Sequence, residues 1–373
     1  MLLLILALIY AVWLFKAAYI WNKAPVVPGS TRQLANNTAL PTYGVIVVFR
    51  NEALKLPALL EALKQQSDTH FSLHLADDNS TDNSVSIIEE FKKSAPFEII
   101  LHKVRNRQAS AKKSAISQIV RANEVAHWLV TDADCQPAPN WVALHKQLHR
   151  LNGFYFISGP LIYTAKSNYF SKIQQLEFLA LVGLGGVGIL TNCPGMCNAA
   201  NMSFSKSAFS AVNGYEGYDN IASGDDEFLL KKIADFSPGS IAFIKSEKAL
   251  VLTEPAENWS AFYNQRKRWA GKWRNHDWQG KMKAVGVAVF YALWLLGTFV
   301  APVPLVVLCW SIKALADYIF LRSIAQTYHQ SISFVAFIGL LLVYPIYVLF
   351  FAVAANFGTF SWKGRQYSQG QAA

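Results

Sequence analysis

The distribution of apolar residues divides this chain into three parts. Leu2–Trp21 is apolar apart from Lys16, and long apolar stretches return at Ala284–Val300, Leu305–Leu321 and Ile332–Ala355. A helix needs about 20 predominantly apolar residues to cross the hydrocarbon core of a bilayer. Both ends of the chain are therefore predicted to lie in a membrane, and the polar stretch between them is predicted to fold outside it.

The composition supports a membrane protein with a folded polar part. Hydrophobic residues make up 53% of the sequence and charged residues only 16%, whereas an average soluble domain contains about 25% charged residues. A pure transporter is excluded, because the polar stretch occupies most of the chain. The net charge of +10 is expected at a cytoplasmic face beside anionic lipid headgroups, and we expect no nucleic-acid partner.

The N-terminal run is predicted to be an uncleaved membrane anchor with its N-terminus outside. A secretory signal peptide carries basic residues before its apolar run and a small-residue cleavage site after it. Here the basic residues Lys16 and Lys23 lie within and after the run, and positive charge at that end favours the cytoplasm for the following segment. We therefore expect a multi-pass protein of the inner (plasma) membrane with a cytoplasmic polar stretch.

The number of C-terminal crossings stays open between two and three. Pro302 and Pro304 either separate the first two apolar stretches or kink one long helix. The tail Trp362-Lys363-Gly364-Arg365 is basic, which favours a cytoplasmic C-terminus and an even number of crossings after the polar stretch. The middle stretch is the weakest membrane span because it contains three charged residues, Lys313, Asp317 and Arg322.

The polar stretch, residues 42–283, alternates the patterns of strands and helices. Its apolar runs are short and most are followed by Asn, Asp or Ser, which is typical of βαβ units with a mostly parallel sheet. Such sheets bind ligands at the carboxyl ends of their strands. A glycine-rich apolar segment, Phe178–Leu190, is predicted to be a helix at the membrane interface. The predicted strands are Gly44–Phe49, Phe71–Ala76, Glu98–Lys103 and His127–Thr131, and the predicted helices are Leu54–Gln66, Ser84–Ser94 and Ala111–Ala122.

Two acidic motifs directly follow predicted strands. Asp77 and Asp78 can accept hydrogen bonds from a nucleobase or a ribose, but acidic residues in this position also form turns and helix caps. Asp132 and Asp134 are two residues apart, so on an extended chain both carboxylates face the same side. One can bind a divalent cation while the other orients a sugar hydroxyl, since Mg²⁺ favours one or two carboxylates completed by phosphates. A capped loop is the alternative for this motif too.

A third acidic motif, Gly224-Asp225-Asp226-Glu227, precedes a helical pattern over residues 228–233. Acidic side chains at a helix start interact favourably with the helix dipole, which is one explanation for the motif. The other explanation is catalytic, because a carboxylate can take a proton from an acceptor hydroxyl. The residues alone leave both explanations open.

A fourth motif combines cations and a tryptophan in Gln265-Arg266-Lys267-Arg268-Trp269. Arg268 can neutralise a diphosphate leaving group, and Trp269 can stack on a sugar or line an acceptor site. The alternative is a basic helix beside the membrane that binds anionic headgroups. We prefer that alternative for the cations further along, which are Lys272, Arg274 and Lys281.

In this order and at these spacings, the four motifs resemble those of glycosyltransferase family 2, and most closely its membrane-embedded branch. That branch includes cellulose, chitin and hyaluronan synthases and ceramide glucosyltransferases, and it carries an early Asp, a D-x-D, a T-E-D or G-D-D, and a Q-x-x-R-W. The resemblance implies an α/β, GT-A catalytic domain with a Rossmann-like, mostly parallel mixed sheet, flanked by transmembrane helices. The matching residues are Asp77-Asp78, Asp132-Ala133-Asp134, Gly224-Asp225-Asp226 and Gln265-Arg266-Lys267-Arg268-Trp269.

The resemblance also implies roles for individual residues. Asp132 and Asp134 are expected to hold the donor and a Mg²⁺ or Mn²⁺ ion. Asp226 aligns with the last residue of T-E-D and is expected to be the general base, with Asp225 serving mainly the helix start. Residues 198–202 resemble a G-A-N segment that lines the acceptor side. Donor contacts are expected from Glu52, Asp77, Asp78 and Lys112, and the catalytic set is completed by Gln265, Arg268 and Trp269.

The implied function is that of an inverting, metal-dependent glycosyltransferase. We expect a nucleotide-sugar donor, with UDP as its nucleotide, and a membrane-associated acceptor that is a lipid or a glycan, a lipid being favoured. One alternative is a processive polysaccharide synthase, which needs a channel of several helices. Another is an inactive GT-A protein with a binding or assembly role, which would be expected to have lost a catalytic carboxylate.

The predicted domain division follows from the motifs and the apolar stretches. Residues 1–23 form the anchor and residues 24–41 a linker. Residues 42–283 form the GT-A domain with interfacial helices. The C-terminal transmembrane region covers residues 284–360 with two or three spans, and residues 361–373 form a basic cytoplasmic tail.

Overall fold

The computed structural model describes residues 1–27, 42–104, 110–221, 223–362 and 365–368. Most of the predicted linker, residues 28–41, and residues 363–364 and 369–373 of the predicted tail lie outside these ranges. The chain divides into two compact units. Among the described residues, the helical unit comprises Met1–Ala24, Ala165–Val187, 255–362 and 365–368, and the sheet unit comprises 25–27, 42–104, 110–164, 188–221 and 223–254. The predicted domain boundaries stay a prediction.

The secondary structure is numbered along the whole chain. The strands are β1 (Tyr43–Phe49), β2 (Ser72–Asp77), β3 (Glu98–Lys103), β4 (His127–Asp132), β5 (Gln136–Pro137), β6 (Phe156–Ser158), β7 (Leu161–Tyr163), β8 (Met202–Ser205), β9 (Ile241–Phe243), β10 (Val251–Thr253), β11 (Thr359–Trp362) and β12 (Arg365–Ser368). The α-helices are α1 (Leu2–Lys23), α2 (Leu56–Lys64), α3 (Ser84–Lys92), α4 (Ala111–Ala122), α5 (Trp141–Asn152), α6 (Tyr169–Leu190), α7 (Lys206–Ala211), α8 (Glu227–Phe236), α9 (Trp259–Ala270), α10 (Trp278–Val300), α11 (Val303–Thr327) and α12 (Phe334–Ala354).

A seven-stranded sheet with the order β3-β2-β1-β4-β8-β6-β9 forms the centre of the sheet unit. The pairs among β3, β2, β1 and β4 are parallel, β8 runs antiparallel to both of its neighbours, and β6 and β9 are parallel. A small second sheet has the order β5-β10-β7. The predicted strands and helices of residues 44–131 are all present, with ends within two residues of their predicted positions.

The strands and helices of this unit form where their apolar side chains can be buried together. Six of the seven residues of β1 are buried, as expected for a central strand covered on both faces. Its Gly44 is required by packing, because a Cβ at this position would lie 2.5 Å from the Trp128 ring of β4. Along α2, the buried leucines Leu56, Leu59, Leu60 and Leu63 recur at helical spacing, so this helix buries one face.

Among the described residues, five helices are long and apolar enough to cross a membrane, and all five include residues of the helical unit. They are α1, α6, α10, α11 and α12. Helices α10 and α11 are separate: α10 ends at Val300, and α11 begins at Val303 with Pro302 as its N-cap. The two prolines therefore divide this stretch into two helices instead of kinking one.

Two of the three charged residues that weaken the middle stretch as a span, Lys313 and Asp317, are paired inside the helical unit. Lys313 is 1% exposed, and its Nζ lies 2.6 Å from Asp317 Oδ2, one helical turn further along α11. Tyr10 of α1 donates a hydrogen bond to Asp317 Oδ1 at 2.5 Å. Pairing of this kind lowers the cost of burying charge in an apolar environment, so α11 forms one continuous helix of 25 residues.

The helix predicted over Phe178–Leu190 begins earlier, at Tyr169, and its 22 residues are long enough to cross a membrane. However, β6 precedes α6 in the chain and β8 follows it, and these two strands are hydrogen-bonded neighbours in one sheet. A helix that crossed the bilayer once would place them on opposite sides. We conclude that α6 does not make a single crossing, and its location at the membrane interface stays a prediction.

Candidate active site

The carboxyl ends of β1, β2 and β4 bring the first two acidic motifs to one edge of the sheet. In the register of these strands, Phe49 lies opposite Asp77, and Val48 lies opposite Asp132. The sheet therefore places the end of β2 on one side of β1 and the end of β4 on the other. This is the edge at which parallel sheets bind ligands.

The turns after β1 and β2 are tied to each other. Asn51 has a positive φ of 51°, and its Oδ1 accepts a hydrogen bond from the Thr81 N–H at 2.7 Å. The N–H of Glu52 donates to Ser84 Oγ at 2.9 Å, so the backbone of the predicted donor residue Glu52 is fixed by α3. Asparagine adopts a positive φ more readily than most residues and is common in turns, which explains the Asn after β1.

Asp77 and Asp78 are both buried, at 7% and 5% exposure. One oxygen of Asp77 accepts a hydrogen bond from the Ser80 N–H at 2.8 Å, so the turn-forming alternative holds for that oxygen. Just before α3, the Asp82 carboxylate accepts hydrogen bonds from the Ala53 and Ser84 N–H groups at 2.9 and 3.0 Å, and so joins the turn after β1 to the start of that helix. The donor contacts predicted for Asp77 and Asp78 stay a prediction.

The D-x-D motif contains the one group of possible metal ligands found among the described residues. Potential ligand atoms of Asp132, Asp134 and Cys135 lie within 4.8 Å of one another. Burial, followed by the negative charges of Asp134 and Asp132, raises the pKa of the Cys135 thiol well above its usual value, and Mg²⁺ and Mn²⁺ favour oxygen ligands over a thiol. Two carboxylates remain, and they fit a Mg²⁺ or Mn²⁺ ion whose coordination is completed by phosphate oxygens.

Lys112 connects the second and third acidic motifs. Its Nζ lies 2.6 Å from Asp132 Oδ1 and 2.9 Å from Asp225 Oδ2, and its side chain is 12% exposed. Burial disfavours the ammonium, but the two carboxylates outweigh this effect and raise the pKa of Lys112 above its usual value. For Asp225, burial acts to raise the pKa of its carboxyl, and Lys112 outweighs burial and lowers it. The three groups therefore form a charged, largely buried cluster.

The neighbouring Lys113 holds the loop that leads into the third motif. This side chain is 1% exposed, and its Nζ donates hydrogen bonds to the carbonyl oxygens of Tyr218, Ile221 and Ser223 at 2.9, 3.0 and 2.8 Å. An ammonium has three donors, and here each finds a carbonyl. The sequence alone did not assign a role to Lys113, because nothing in the local sequence indicates that this second lysine is buried.

The third motif gives its two aspartates different environments. Gly224 has a φ of +82°, a conformation suited to glycine, at the turn before the aspartates. Asp226 is the N-cap of α8: its Oδ1 accepts a hydrogen bond from the Glu227 N–H at 2.7 Å, and its Oδ2 accepts one from the Ala199 N–H at 3.1 Å. The expectation that Asp225 serves the helix start is therefore wrong, since Asp225 pairs with Lys112. The base assignment of Asp226 stays a prediction.

The segment that resembles G-A-N contributes to the site through its backbone. Its Ala199 N–H contacts the Asp226 carboxylate. The Asn201 side chain is fully buried and links internal groups: its Nδ2 donates to the carbonyl oxygens of Pro160 and Ala249, and its Oδ1 accepts a hydrogen bond from Trp141 Nε1. Asn201 thus fixes the position of the segment instead of facing an acceptor.

The fourth motif lies on α9 in the helical unit, whereas the acidic motifs and Lys112 lie in the sheet unit. Gln265, Arg268 and Trp269 are half-buried. Arg266 is 3% exposed, and its guanidinium lies 4.3 Å from the centre of the Trp269 ring. Its Nη2 lies 2.6 Å from Glu177 Oε2 of α6. Arg266 is thus a further residue that holds α9 and that sequence reasoning did not single out.

Comparisons with known proteins identify the family of the chain. A family model described as Glycosyl transferase family 2 matches residues 44–207, and one described as Glycosyl transferase family group 2 matches residues 129–355, which is more than half of the chain. The chain therefore belongs to glycosyltransferase family 2, and the predicted family is confirmed. No curated protein matches the chain in sequence.

Solved structures with a similar fold include a mannosyltransferase. The mannosyltransferase PcManGT from Pyrobaculum calidifontis, in complex with GDP-Man and Mn²⁺, has a TM-score of 0.53 and 18% identity over 95% of this chain and 97% of that one. S. aureus TarS 1-349 in complex with UDP-GlcNAc has a TM-score of 0.43 and 12% identity over 88% and 98%. The chain spans about half, 49%, of a longer S. aureus TarS chain. The similarity to PcManGT confirms the predicted GT-A class of fold.

Proposed function

We propose that this protein transfers a sugar from a nucleotide-sugar donor, with UDP as the nucleotide, to a lipid acceptor in the membrane. The observation that carries the proposal is the charged cluster of Lys112, Asp132 and Asp225 beside Asp134, at the carboxyl edge of a family 2 sheet. A site with two carboxylates for a metal and a lysine beside them suits a diphosphate. Membrane-length helices in the same chain favour an acceptor that is itself in the membrane.

The residues divide between donor and acceptor chemistry. Asp132 and Asp134 would hold Mg²⁺ or Mn²⁺, which when bound supplies positive charge to the diphosphate leaving group. Asp77, Asp78 and Glu52 contact the nucleoside in this proposal. Arg268 steadies the departing diphosphate, with Gln265 beside it on the same helix, and Trp269 lines the acceptor site.

Asp226 takes the proton of the acceptor hydroxyl in this proposal. Its two oxygens accept hydrogen bonds from the Glu227 and Ala199 N–H groups, which fix the orientation of the carboxylate. The nearby Asp225 is paired with Lys112 and is therefore not available as a nucleophile. With Asp226 as the base and Asp225 paired with Lys112, direct displacement with inversion at the anomeric carbon is favoured over a covalent intermediate.

A single transfer suits this chain better than processive synthesis with extrusion. Extrusion needs a channel of several helices, and α6 does not contribute a single crossing because its two flanking strands belong to one sheet. At most four membrane-length helices remain among the described residues. An inactive binding or assembly protein is disfavoured, because the sequence retains every carboxylate of the family motifs.

Membranes containing the protein, radiolabelled nucleotide sugars and a lipid extract provide the test. UDP-sugars and GDP-mannose are offered one at a time, and the products are separated by thin-layer chromatography. We expect one labelled glycolipid, its loss in EDTA, and its recovery with added Mn²⁺ or Mg²⁺. Membranes carrying the Asp132→Asn and Asp134→Asn double variant are the control and should give no product. A ladder of polymer would replace single transfer by processive synthesis, and full activity in EDTA would contradict the metal assignment.

A further inference from the structure

Lys112 is positioned where it competes with a metal ion for one carboxylate of the D-x-D motif. Its Nζ contacts Asp132 at 2.6 Å and Asp225 at 2.9 Å. These two partners differ in exposure: the Asp132 side chain is 38% exposed, and the Asp225 side chain is 13% exposed. Asp132 is thus accessible to an incoming ligand, whereas Asp225 is a largely buried anchor for the ammonium.

A divalent cation at Asp132 and Asp134 would meet the Lys112 ammonium at contact distance. Charges of the same sign at such a distance in a partly buried site repel each other strongly. In addition, the Asp132 carboxylate would have to divide its negative charge between the cation and an existing ion pair. A nucleotide diphosphate changes this balance, because its oxygens can accept hydrogen bonds from the ammonium and complete the coordination of the metal.

The fold allows only one contact of the charged cluster to be exchanged for a contact with a bound nucleotide. The backbone of Lys112 belongs to the first turn of α4, and the next residue, Lys113, is locked by three carbonyl groups. The buried Asp225 also cannot lose its counter-ion without leaving an unpaired charge, which is costly. Only the contact between Lys112 and the more exposed Asp132 is free to be exchanged.

From this geometry we propose that Lys112 is a built-in counter-ion that keeps Asp132 from binding metal until the nucleotide diphosphate arrives. On donor binding, Lys112 stays with Asp225 and turns from Asp132 to the phosphate oxygens. Metal and nucleotide then bind cooperatively, and neither binds well alone. This inference rests on the proposed nucleotide-sugar site, but it concerns binding and not transfer.

Mn²⁺ binding to the purified full-length protein tests the proposal without any transfer reaction. Electron paramagnetic resonance of free Mn²⁺ is recorded for the wild type and for Lys112→Met, with and without UDP. Without UDP, Lys112→Met should bind Mn²⁺ about tenfold or more tightly than the wild type, within the range typical of coupling between sites. UDP should raise Mn²⁺ affinity strongly in the wild type and only weakly in the variant.

Two controls keep the result interpretable. Lys146→Met removes a similarly buried lysine that pairs with Asp68 at 2.7 Å, and it should leave Mn²⁺ affinity unchanged. Adding Asp132→Asn to Lys112→Met should abolish the gain, and Lys112→Gln provides a second neutral side chain if the methionine variant does not fold. Equal or weaker Mn²⁺ binding by both Lys112 variants without UDP would overturn the proposal. Absence of transfer with every nucleotide sugar would instead contradict the proposed function and leave this binding result standing.

Discussion

Asp225 and Asp226 are adjacent in the sequence and have different partners in the structure. Asp226 is tied to two backbone N–H groups at the start of α8, whereas Asp225 pairs with Lys112 in the charged cluster. A carboxylate that accepts hydrogen bonds from N–H groups can also accept the proton of an acceptor hydroxyl, and a carboxylate paired with a lysine beside the D-x-D motif is expected to act on the donor side. Substitutions of the two residues should therefore affect different properties of the enzyme, turnover for Asp226 and donor binding for Asp225.

Asp226→Asn should lower turnover by roughly 10²-fold or more, the scale typical of a general base, because it removes basicity and keeps size. Its affinity for UDP should stay near that of the wild type. Asp225→Asn should act mainly through donor binding, with a raised KM for the nucleotide sugar, because it releases the anchor of Lys112. Steady-state kinetics and UDP titration of both variants measure the difference.

Two outcomes would contradict this division of roles. If Asp225→Asn were inactive with normal UDP affinity and Asp226→Asn turned over normally, the base would be Asp225. If both variants lost only thermal stability, the motif would be a helix cap and a structural ion pair.

At the scale of single residues, the burial of two cations, Lys113 and Arg266, could not be predicted from the sequence. The order of the acidic motifs was enough to predict where Asp77 and Asp132 lie, because parallel strands all end at one edge. Nothing local distinguished Lys113 from Lys112, or Arg266 from Arg268, since the burial of a long cation depends on partners far away in the sequence. One signal was present: Glu177 is the single acidic residue in the apolar helix α6, and a buried carboxylate needs a partner.

At the scale of elements, a buried ion pair joins α6, α9 and α12. Glu177 on α6 contacts Arg266 on α9 at 2.6 Å and accepts a hydrogen bond from the Tyr347 hydroxyl of α12 at 2.7 Å. Arg266 and Glu177 are 3% and 5% exposed. Arg266 also lies against the Trp269 ring, so the same contacts orient one residue of the fourth motif.

Arg266→Met should destabilise the protein by about 3–5 kcal/mol, because it leaves Glu177 as an uncompensated buried charge. The double variant Arg266→Met with Glu177→Leu should be less destabilised than either single variant, since apolar residues then replace both charges. Tyr347→Phe should cost less, about 1.5–3 kcal/mol, the usual range for one hydrogen bond to a charged group. Thermal unfolding of the purified protein in detergent measures these differences.

Arg274→Met is the matched control, because Arg274 is an exposed arginine a short distance beyond α9. It should unfold close to the wild-type temperature. If Arg266→Met were as stable as Arg274→Met, the ion pair would not hold α9.

At the scale of the whole molecule, alternation of strands and helices was sufficient to predict the sheet, and apolar runs were sufficient to predict membrane-length helices. The number of crossings could not be predicted, because it depends on which helices pack together. Leu3 and Ala7 of α1 pack with Trp294 of α10 and Cys309 of α11, and Trp21 donates a hydrogen bond to Thr327 at the other end of α11. Thus α1 and α11 run side by side in the same direction, with α10 beside them.

The C-terminal hairpin is held by α9. Lys267 Nζ of α9 donates a hydrogen bond to the Thr359 carbonyl of β11 at 3.0 Å, and Phe351 near the end of α12 packs against Phe262 of α9. Only five residues separate β10 from α9, and they extend over about 20 Å at most, too short to cross the membrane. We therefore expect the sheet, α9 and β11 on one side of the membrane, and an even number of crossings between α9 and β11.

Because α11 runs beside α1 in the same direction and α1 is predicted to cross, this parity predicts that α10 and α11 cross and that α12 does not, although α12 is the most apolar helix by mean hydropathy (2.5). In a variant without native cysteines, single cysteines at Ser210, Ala301, Ser331 and beyond Ala373 are labelled with an impermeant maleimide. In intact cells only the cysteine at Ala301, between α10 and α11, should react. The other three should react after lysis, since the positive charge after α1 favours a cytoplasmic location for the sheet unit. External labelling at Ser210 would reverse the orientation. External labelling beyond Ala373, with Ser331 protected, would show that α12 crosses.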